Sequence, residues 1–421
     1  MARNRFFGDL LVQVFDRPVW KRSLGEARSL RALGDALLSE EGEVSGTRLA
    51  AALLERYRMA SDDEKRAFFV YMNDVLEIDA AHVAELAAEY DEKPSVSTYK
   101  KLSAAAEPRR QELLRRLNQP AGATEMLVAM RVDLLRFIKD QPALARTDHD
   151  FMHLLRSWFN RGFLVLQQIS WATPAHILDK IVNYEAVHAI DNLDALRRRL
   201  QPLDRRCFAF FHPSMPEEPL IFVEVALTEK VPGLIGELLS DDHAGIDPEA
   251  ARVAAFYSIS NCQKGLAGIS FGNFLIKQVV KEIAAELPAV ETFVTLSPIP
   301  GLMRWLEAEG RDAAELSEEE LKALAAHYLI GAKRDDGMPV DAVARFHLGN
   351  GAEVHDVHSD ADLSDKGTAQ SGGVMVNYLY DLAKTELNHG GFALEGKVAA
   401  SKKVQALAAS AEKKKAEEVV T

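Results

Sequence analysis

YSISNCQKGLAGISFGNFLIKQVV, residues 257–280, decides how the second half of the chain folds. Its first residues continue RVAAFYSIS (252–260), whose aromatic and β-branched residues read as a buried strand. Gly265, Gly268 and Gly272 follow, and then FLIKQVVKEIAAEL, where apolar residues recur at the helical period. A strand, a glycine loop and a helix in succession gather bare backbone N–H groups and the positive end of a helix dipole in one place, where anions bind. Glycine also lets the backbone come close to such a ligand. The spacing is neither the G-x-x-x-x-G-K-[ST] phosphate loop nor the G-x-G-x-x-G dinucleotide fingerprint. On the loop alone, an anion cradle and a plain tight turn stay equally open.

Around this unit the strand signals cluster. CFAFFHP (207–213) and LIFVEVALT (220–228), separated by the turn-like HPSMPEEP, read as adjacent strands of a hairpin. ETFVTLS (291–297) is a fourth strand, and ARFHLGNGAEV (344–354) and GVMVNYLYDL (373–382) read as further strands after the helical SEEELKALAAHYLI. Toward the N-terminus the pattern changes. The first ~175 residues are helical in period almost throughout, including SDDEKRAFFVYMNDVL, where Ser61 and Glu64 form a capping-box pattern. HDFMHLLRSWFNRGFLVLQQI continues the helical theme, and HILDKIVNYEAVHAIDNLDALRRRL reads as one more helix leading to Pro202. The expected class is α+β, with a helical bundle over 1–175 and an α/β domain over 176–421 that ends in a solvated helical tail.

Composition narrows the function. The 421 residues suggest two or three domains. A hydrophobic content of 48% with 27% charged residues suits a water-exposed chain with a sizeable core. A net charge of −13 argues against a nucleic-acid surface, which needs a basic stripe. Two distant cysteines, Cys207 and Cys262, make neither a disulfide framework nor a zinc knuckle, and fit a reducing cytoplasm. No apolar run nears the roughly 20 residues that span a bilayer, so no membrane partner is expected. The N-terminal MARNRFFGDLLVQVF has no small-residue cleavage site and reads as a first amphipathic helix.

One further stretch, FVTLSPIPG (293–301), starts as a strand and stops at Ser297, with Pro298 and Pro300 stiffening the exit. Taken alone, Ser297 is a turn residue, and His347 in ARFHLGNGA is a core histidine on a strand.

Four segments taken together change that reading. DRRCFAFFHPSMPEEPLIFVEVALT, AAFYSISNCQKGLAGISFGNFLIKQVV, TFVTLSPIPG, and ARFHLGNGA followed by NYLYDL resemble the malonyl-CoA decarboxylase family, in the family's order and over nearly the whole chain. The resemblance implies a helical oligomerisation domain followed by an acetyltransferase-like catalytic domain. It implies conversion of malonyl-CoA to acetyl-CoA and CO2 without metal or organic cofactor, and a homo-oligomer, dimer or tetramer. The family's serine and histidine pair falls on Ser297 and His347, with supporting positions at Ser258, Tyr380 and Asn350. The coenzyme-contacting loop falls on Ala267, Gly268, Ile269, Ser270, Phe271, Gly272 and Asn273. Ser270 stands where some relatives carry glutamate. The C-terminal VVT in place of SKL suggests a bacterial-type, cytoplasmic member.

The chemistry agrees with those residue types. Loss of CO2 from a malonyl thioester leaves an enolate, so the site must stabilise charge on the thioester oxygen, align the carboxylate and protonate the α-carbon. The carbonyl is itself the electron sink. His347 is the natural proton donor and Ser297 a neutral donor and acceptor. Gly349, Asn350 and Gly351 make a turn that lets substrate approach. A coenzyme A-dependent acyltransferase and a non-catalytic acyl-CoA sensor are the alternatives.

Overall fold

The computed structural model describes residues 28–240, 245–269 and 272–420. The chain divides into two compact units, one made of Met1–Asn160 with Gln263–Ile269, the other of Arg161–Cys262 with Ser270–Thr421. The expected boundary at 175 thus lies inside the second unit, beyond its first strand. No described helix is long and apolar enough to cross a membrane.

The first unit is helical, as its periodicity requires: α1 (Leu30–Leu37), α2 (Glu40–Arg58), α3 (Asp62–Asp74), α4 (Ala80–Glu92), α5 (Val96–Ala105), α6 (Arg109–Leu117), α7 (Ala123–Ile138) and α8 (Ala145–Trp158). The expected capping box opens α3, with Ser61 and Glu64 each accepting the other's backbone N–H. Phe69 is the aromatic hub of the core, its ring 6.0 Å from Tyr57, 6.1 Å from Phe137 and 6.4 Å from Phe151. Two buried guanidiniums are paired inside the bundle, Arg110 with Asp150 and Arg131 with Asp148.

The second unit is a mixed eight-stranded sheet with its helices. It contains β1 (Val165–Ile169), α9 (Ala175–Tyr184), α10 (Leu193–Leu200), β2 (Arg205–Phe211), β3 (Ile221–Thr228), α11 (Ile235–Leu239), β4 (Val253–Asn261), α12 (Gly272–Glu286), β5 (Thr292–Thr295) and β6 (Ser297–Pro298). Then come α13 (Leu302–Ala308), α14 (Glu318–Ile330), α15 (Ala342–Gly349), β7 (Glu353–His358), α16 (Asp365–Ser371), β8 (Met375–Leu379), α17 (Thr385–Glu395) and α18 (Lys402–Val420). The strands run β1-β2-β3-β4-β5-β8, and β6 and β7 also pair with β8. The hairpin of β2 and β3 is antiparallel as expected. β4, the glycine loop and α12 lead to β5, which is parallel to β4, so the opening stretch is the first half of a βαβ crossover. This is the helical-then-mixed-sheet architecture anticipated. α9 and α10 cover one face of the sheet, where Ile177, Leu178, Ile181 and Leu196 pack on Ile169, Cys207, Ala209 and Phe222.

Three local expectations are corrected. The helix expected through 149–169 ends at Trp158, and the Val165–Ile169 run pairs along β2 from Val165↔Phe211 to Ile169↔Cys207. The single helix expected from His176 to Leu200 breaks after Tyr184 and restarts at Leu193 behind its cap Asn192. Most consequential for function, 342–349 is a helix and not a strand. Its N-cap is Asp341, which accepts from Ala344 N–H at 2.7 Å, and Asn350 and Gly351 (φ 85°) end it. His347 therefore sits in the last turn of α15.

Because Asp341 is buried, losing its cap also strands backbone donors out of reach of water. Asp341→Ala is expected to cost ~1–2 kcal/mol and Asp341→Asn only a fraction of that, since both side chains cap well. Thermal unfolding of the two variants beside wild type checks this; equal melting points for wild type and Asp341→Ala would refute it.

Candidate active site

Ser297 is reached by a strand that is interrupted and resumed. β5 stops at Thr295, and Leu296 N–H donates across to Phe256 O at 2.9 Å. Ser297 and Pro298 then pair with Val376 and Met375 of β8. Pro298 costs this edge little, because it needs only to accept. Ser297 thus lies within the sheet and not in a loose exit, held by β8 on one side and by its neighbour's bond to β4.

The period-2 alternation puts Thr295 on the same side as Ser297. Ser297 Oγ donates to Thr295 Oγ1 at 2.9 Å and lies 3.3 Å from His347 Nε2. Thr295 Oγ1 also accepts from Tyr378 N–H at 3.2 Å. On the far side of the imidazole, Nδ1 lies 2.8 Å from Tyr380 Oη. Tyr380 is fixed by its own N–H, which donates to Phe293 O at 2.8 Å. The Tyr378 ring stacks on the imidazole, centroids 4.4 Å apart and planes 22° apart, and Phe346 meets it edge-on at 5.0 Å. The result is a string of groups, Tyr380 Oη, His347, Ser297 Oγ and Thr295 Oγ1, drawn from β5, β6, α15 and the end of β8.

The string borders a cavity of about 160 Å³ lined by Val187, Phe256, Ile259, Pro298, Val343 and Phe346 together with Ser297 and His347. Ser297 is 6% exposed and His347 2%. Burial alone pushes the His347 pKa down to about 3, so the ring is neutral at physiological pH and carries one N–H.

The other expected site residues are placed as follows. Ser258 is on β4, and its hydroxyl is taken by the Glu185 carboxylate, at 2.9 and 2.7 Å from the two oxygens. That carboxylate also accepts from Val187 N–H and His188 N–H, at 2.7 and 2.8 Å, so Ser258 and Val187 of the cavity wall share one anchor. Asn350 closes α15 behind His347, its Nδ2 donating to Phe346 O at 2.6 Å, while its Oδ1 is buried with no hydrogen-bond partner. In the glycine loop, Ala267 and Gly268 are exposed and Gly268 has φ 78°. Gly272 and Asn273 open α12. Ser270 and Phe271 lie outside the described residues.

Four participants were missed in the sequence: Thr295, Tyr378, Phe346 and Glu185. Two had a readable signal. Thr295 precedes Ser297 by two, and Tyr378 precedes Tyr380 by two, the spacing that shares one face of a strand.

Residues 76–159 match the model of the malonyl-CoA decarboxylase N-terminal domain, and residues 162–324 and 308–418 that of the malonyl-CoA decarboxylase C-terminal domain. The chain belongs to the malonyl-CoA decarboxylase family. The mitochondrial malonyl-CoA decarboxylase of Anser anser anser is 34% identical over 348 residues, 70% of this chain and 69% of that one. The crystal structure of malonyl-CoA decarboxylase from Rhodopseudomonas palustris superposes with a TM-score of 0.84 at 48% identity, over 89% of this chain and 98% of that one. The structure from Agrobacterium vitis gives 0.84 at 46%, over 90% and 99%.

The depressed His347 pKa carries a sign that can be tested. The unfolded ring titrates near 6.5 and the folded one near 3, so its contribution to stability is complete above pH 6.5 and is lost as pH falls toward 3. In the native protein the His347 Cε1–H NMR signal is expected to hold the neutral shift between pH 5 and 8. A midpoint near 6.5 for that signal would show a solvated ring instead.

Proposed function

We propose that Ser297 and His347 form the reacting centre of a cofactor-free malonyl-CoA decarboxylase. The enzyme is a carboxy-lyase, converting malonyl-CoA to acetyl-CoA and CO2. The observation that carries the assignment of residues is the hydroxyl–imidazole–hydroxyl string beside an apolar cavity.

A neutral imidazole has one donor and one acceptor nitrogen. If Tyr380 O–H donates to Nδ1, Nε2 carries the proton and aims it at Ser297 Oγ. The Ser297 hydroxyl donates in turn to Thr295, which leaves its lone pairs facing His347. In this arrangement Ser297 accepts and His347 donates.

In the reaction the bond between the α-carbon and the carboxylate breaks, and its electron pair moves onto the thioester carbonyl as an enolate. The carbonyl is thus the electron sink, which is the ground for reading the site as needing no metal or organic cofactor. The apolar walls favour loss of the charged carboxylate by withholding water from it. When substrate enters, the Ser297 hydroxyl turns from Thr295 and the Nε2–H group from Ser297, so that both donate to the substrate oxygens on which charge develops. The Nε2–H bond then breaks as the α C–H bond forms while Tyr380 O–H shares its proton with Nδ1. Nε2 is reprotonated by a water entering the cavity as CO2 leaves, Tyr380 keeps its proton, and the hydroxide left behind is taken up by CO2 as bicarbonate. A thioester enolate is basic enough at carbon to be protonated by a neutral imidazole. The coenzyme arm is assigned to the loop from Ala267 to Asn273, next to the N-terminus of α12.

Release of ¹⁴CO2 from carboxyl-labelled malonyl-CoA, with no metal or cofactor added, is the direct test. Wild type is expected to release it, and His347→Ala to be slower by at least ~100-fold, the scale of a lost general acid. Ser297→Ala should lose activity in the same direction. No release by folded wild type would overturn the reading. We also propose a homo-oligomer, formed through the helical unit; light scattering is expected to give a multiple of 46.6 kDa, and a particle of that single mass would refute it.

A further inference from the structure

We infer that Arg131, in the middle of helix α7, is a positioning residue for the coenzyme loop. This rests on the assignment of that loop to the coenzyme arm of the substrate. The helical unit includes the loop segment Gln263–Ile269 as well as the N-terminal helices, and Arg131 makes the shortest side-chain bonds between the two. Its Nη1 donates to Gly265 O and to Ala267 O, both at 2.8 Å. Its Nε and Nη2 donate to the two oxygens of Asp148 at 2.6 and 3.2 Å. Arg131 is 1% exposed, and a guanidinium is buried that deeply only where its donors are met.

The direction of those bonds is what bears on a ligand. In a trans peptide the C=O and N–H point opposite ways, and the chain has no cis peptide among the described residues. Turning the Ala267 carbonyl to Arg131 therefore turns the Gly268 N–H away from the bundle, at a residue that is exposed. Gly268 adopts φ 78°, a conformation glycine supplies at little cost. Gly265 is pressed so close to α7 that a Cβ there would lie 2.0 Å from Val128 O. The loop is thus seated on α7 by close contact and oriented chiefly by the buried Arg131 guanidinium, Arg156 Nη2 adding a longer bond to Gly268 O at 3.5 Å, with its outward N–H set for an acceptor such as a phosphate oxygen. Lysine cannot substitute: it has three donors on one atom, whereas the planar fork serves a carboxylate on one edge and two carbonyls on the other.

A residue that orients the loop affects the nucleotide end of the substrate and not the bond that breaks. The test compares malonyl-CoA with malonyl-pantetheine, which carries the same thioester without the nucleotide, in the full-length protein. It also measures the Kd of coenzyme A by calorimetry. Arg131→Lys keeps the charge beside Asp148. If it fails to fold, Arg131→Met with Asp148→Leu replaces the buried pair by apolar groups, an exchange that is often neutral for stability. In whichever variant melts like wild type, KM for malonyl-CoA and Kd for coenzyme A are expected to rise roughly tenfold or more, as for the loss of one or two charge-assisted hydrogen bonds. kcat should stay within about threefold, and kcat/KM for malonyl-pantetheine should not move. Unchanged coenzyme affinity in a folded variant, or equal loss with both thioesters, would overturn the inference, as would wild type that binds no coenzyme A. Wild type that binds coenzyme A but releases no CO2 would instead sink the decarboxylase reading, leaving the affinity comparison to decide on Arg131.

Discussion

An uncharged imidazole held between two hydroxyls is the interaction on which the site depends. Taking His347 out of water costs its charged form heavily, which is why the ring stays neutral. A neutral ring still has one donor and one acceptor, and leaving either unmet in an apolar pocket would be costly. Tyr380 and Ser297 meet them from opposite sides. The stacked Tyr378 ring and the edge of Phe346 remove the remaining freedom to rotate. Protonation state, tautomer and orientation are therefore set by one enclosure, and a low effective dielectric strengthens each hydrogen bond in it.

Such an enclosure demands that several elements arrive in register. Ser297 can face His347 only because the chain of β5, which lies between β4 and β8, leaves β4 after Leu296 and continues along β8 as β6. Tyr378 and Tyr380 come from the same β8 edge, so one strand sets the distance between the serine and the residues behind the imidazole. α15 supplies the histidine from its last turn, and Asp341 fixes where that helix begins. The glutamate that receives Ser258 also ties down the backbone of Val187 and His188, which anchors a wall of the cavity to β4.

Much of this was legible in the residues. The hairpin, the strand–loop–helix unit around the glycine loop, the capping box at Ser61 and the pairing of Ser297 with His347 all followed from pattern or from family likeness. The failures share a physical cause. ARFHLGNG carries aromatic and glycine residues that suggest a strand edge, yet Asp341 as N-cap and the glycine with positive φ bracket one short helix whose stability comes from packing. Val165–Ile169 follows a strongly helical segment, and only its long-range partner β2 makes it a strand. Thr295 and Tyr378 were overlooked because each looks like an ordinary strand residue; what distinguishes them is the neighbour two positions on. Glu185 had no local signal, since its partners Ser258 and Ser260 are more than 70 residues away.

The helical unit is assembled from two stretches of chain separated by about a hundred residues. On a ribosome the first stretch emerges early and can collapse around Phe69, as N-terminal units generally do. The carbonyls that Arg131 receives lie 134 and 136 positions later, after β1 to β4 have been made. Until then the buried guanidinium has Asp148 but lacks its two carbonyl acceptors, so the bundle reaches its final state only when the sheet is half built. No single cut in the chain yields both units whole, and the order in which the molecule matures is written into the place where the loop departs from β4.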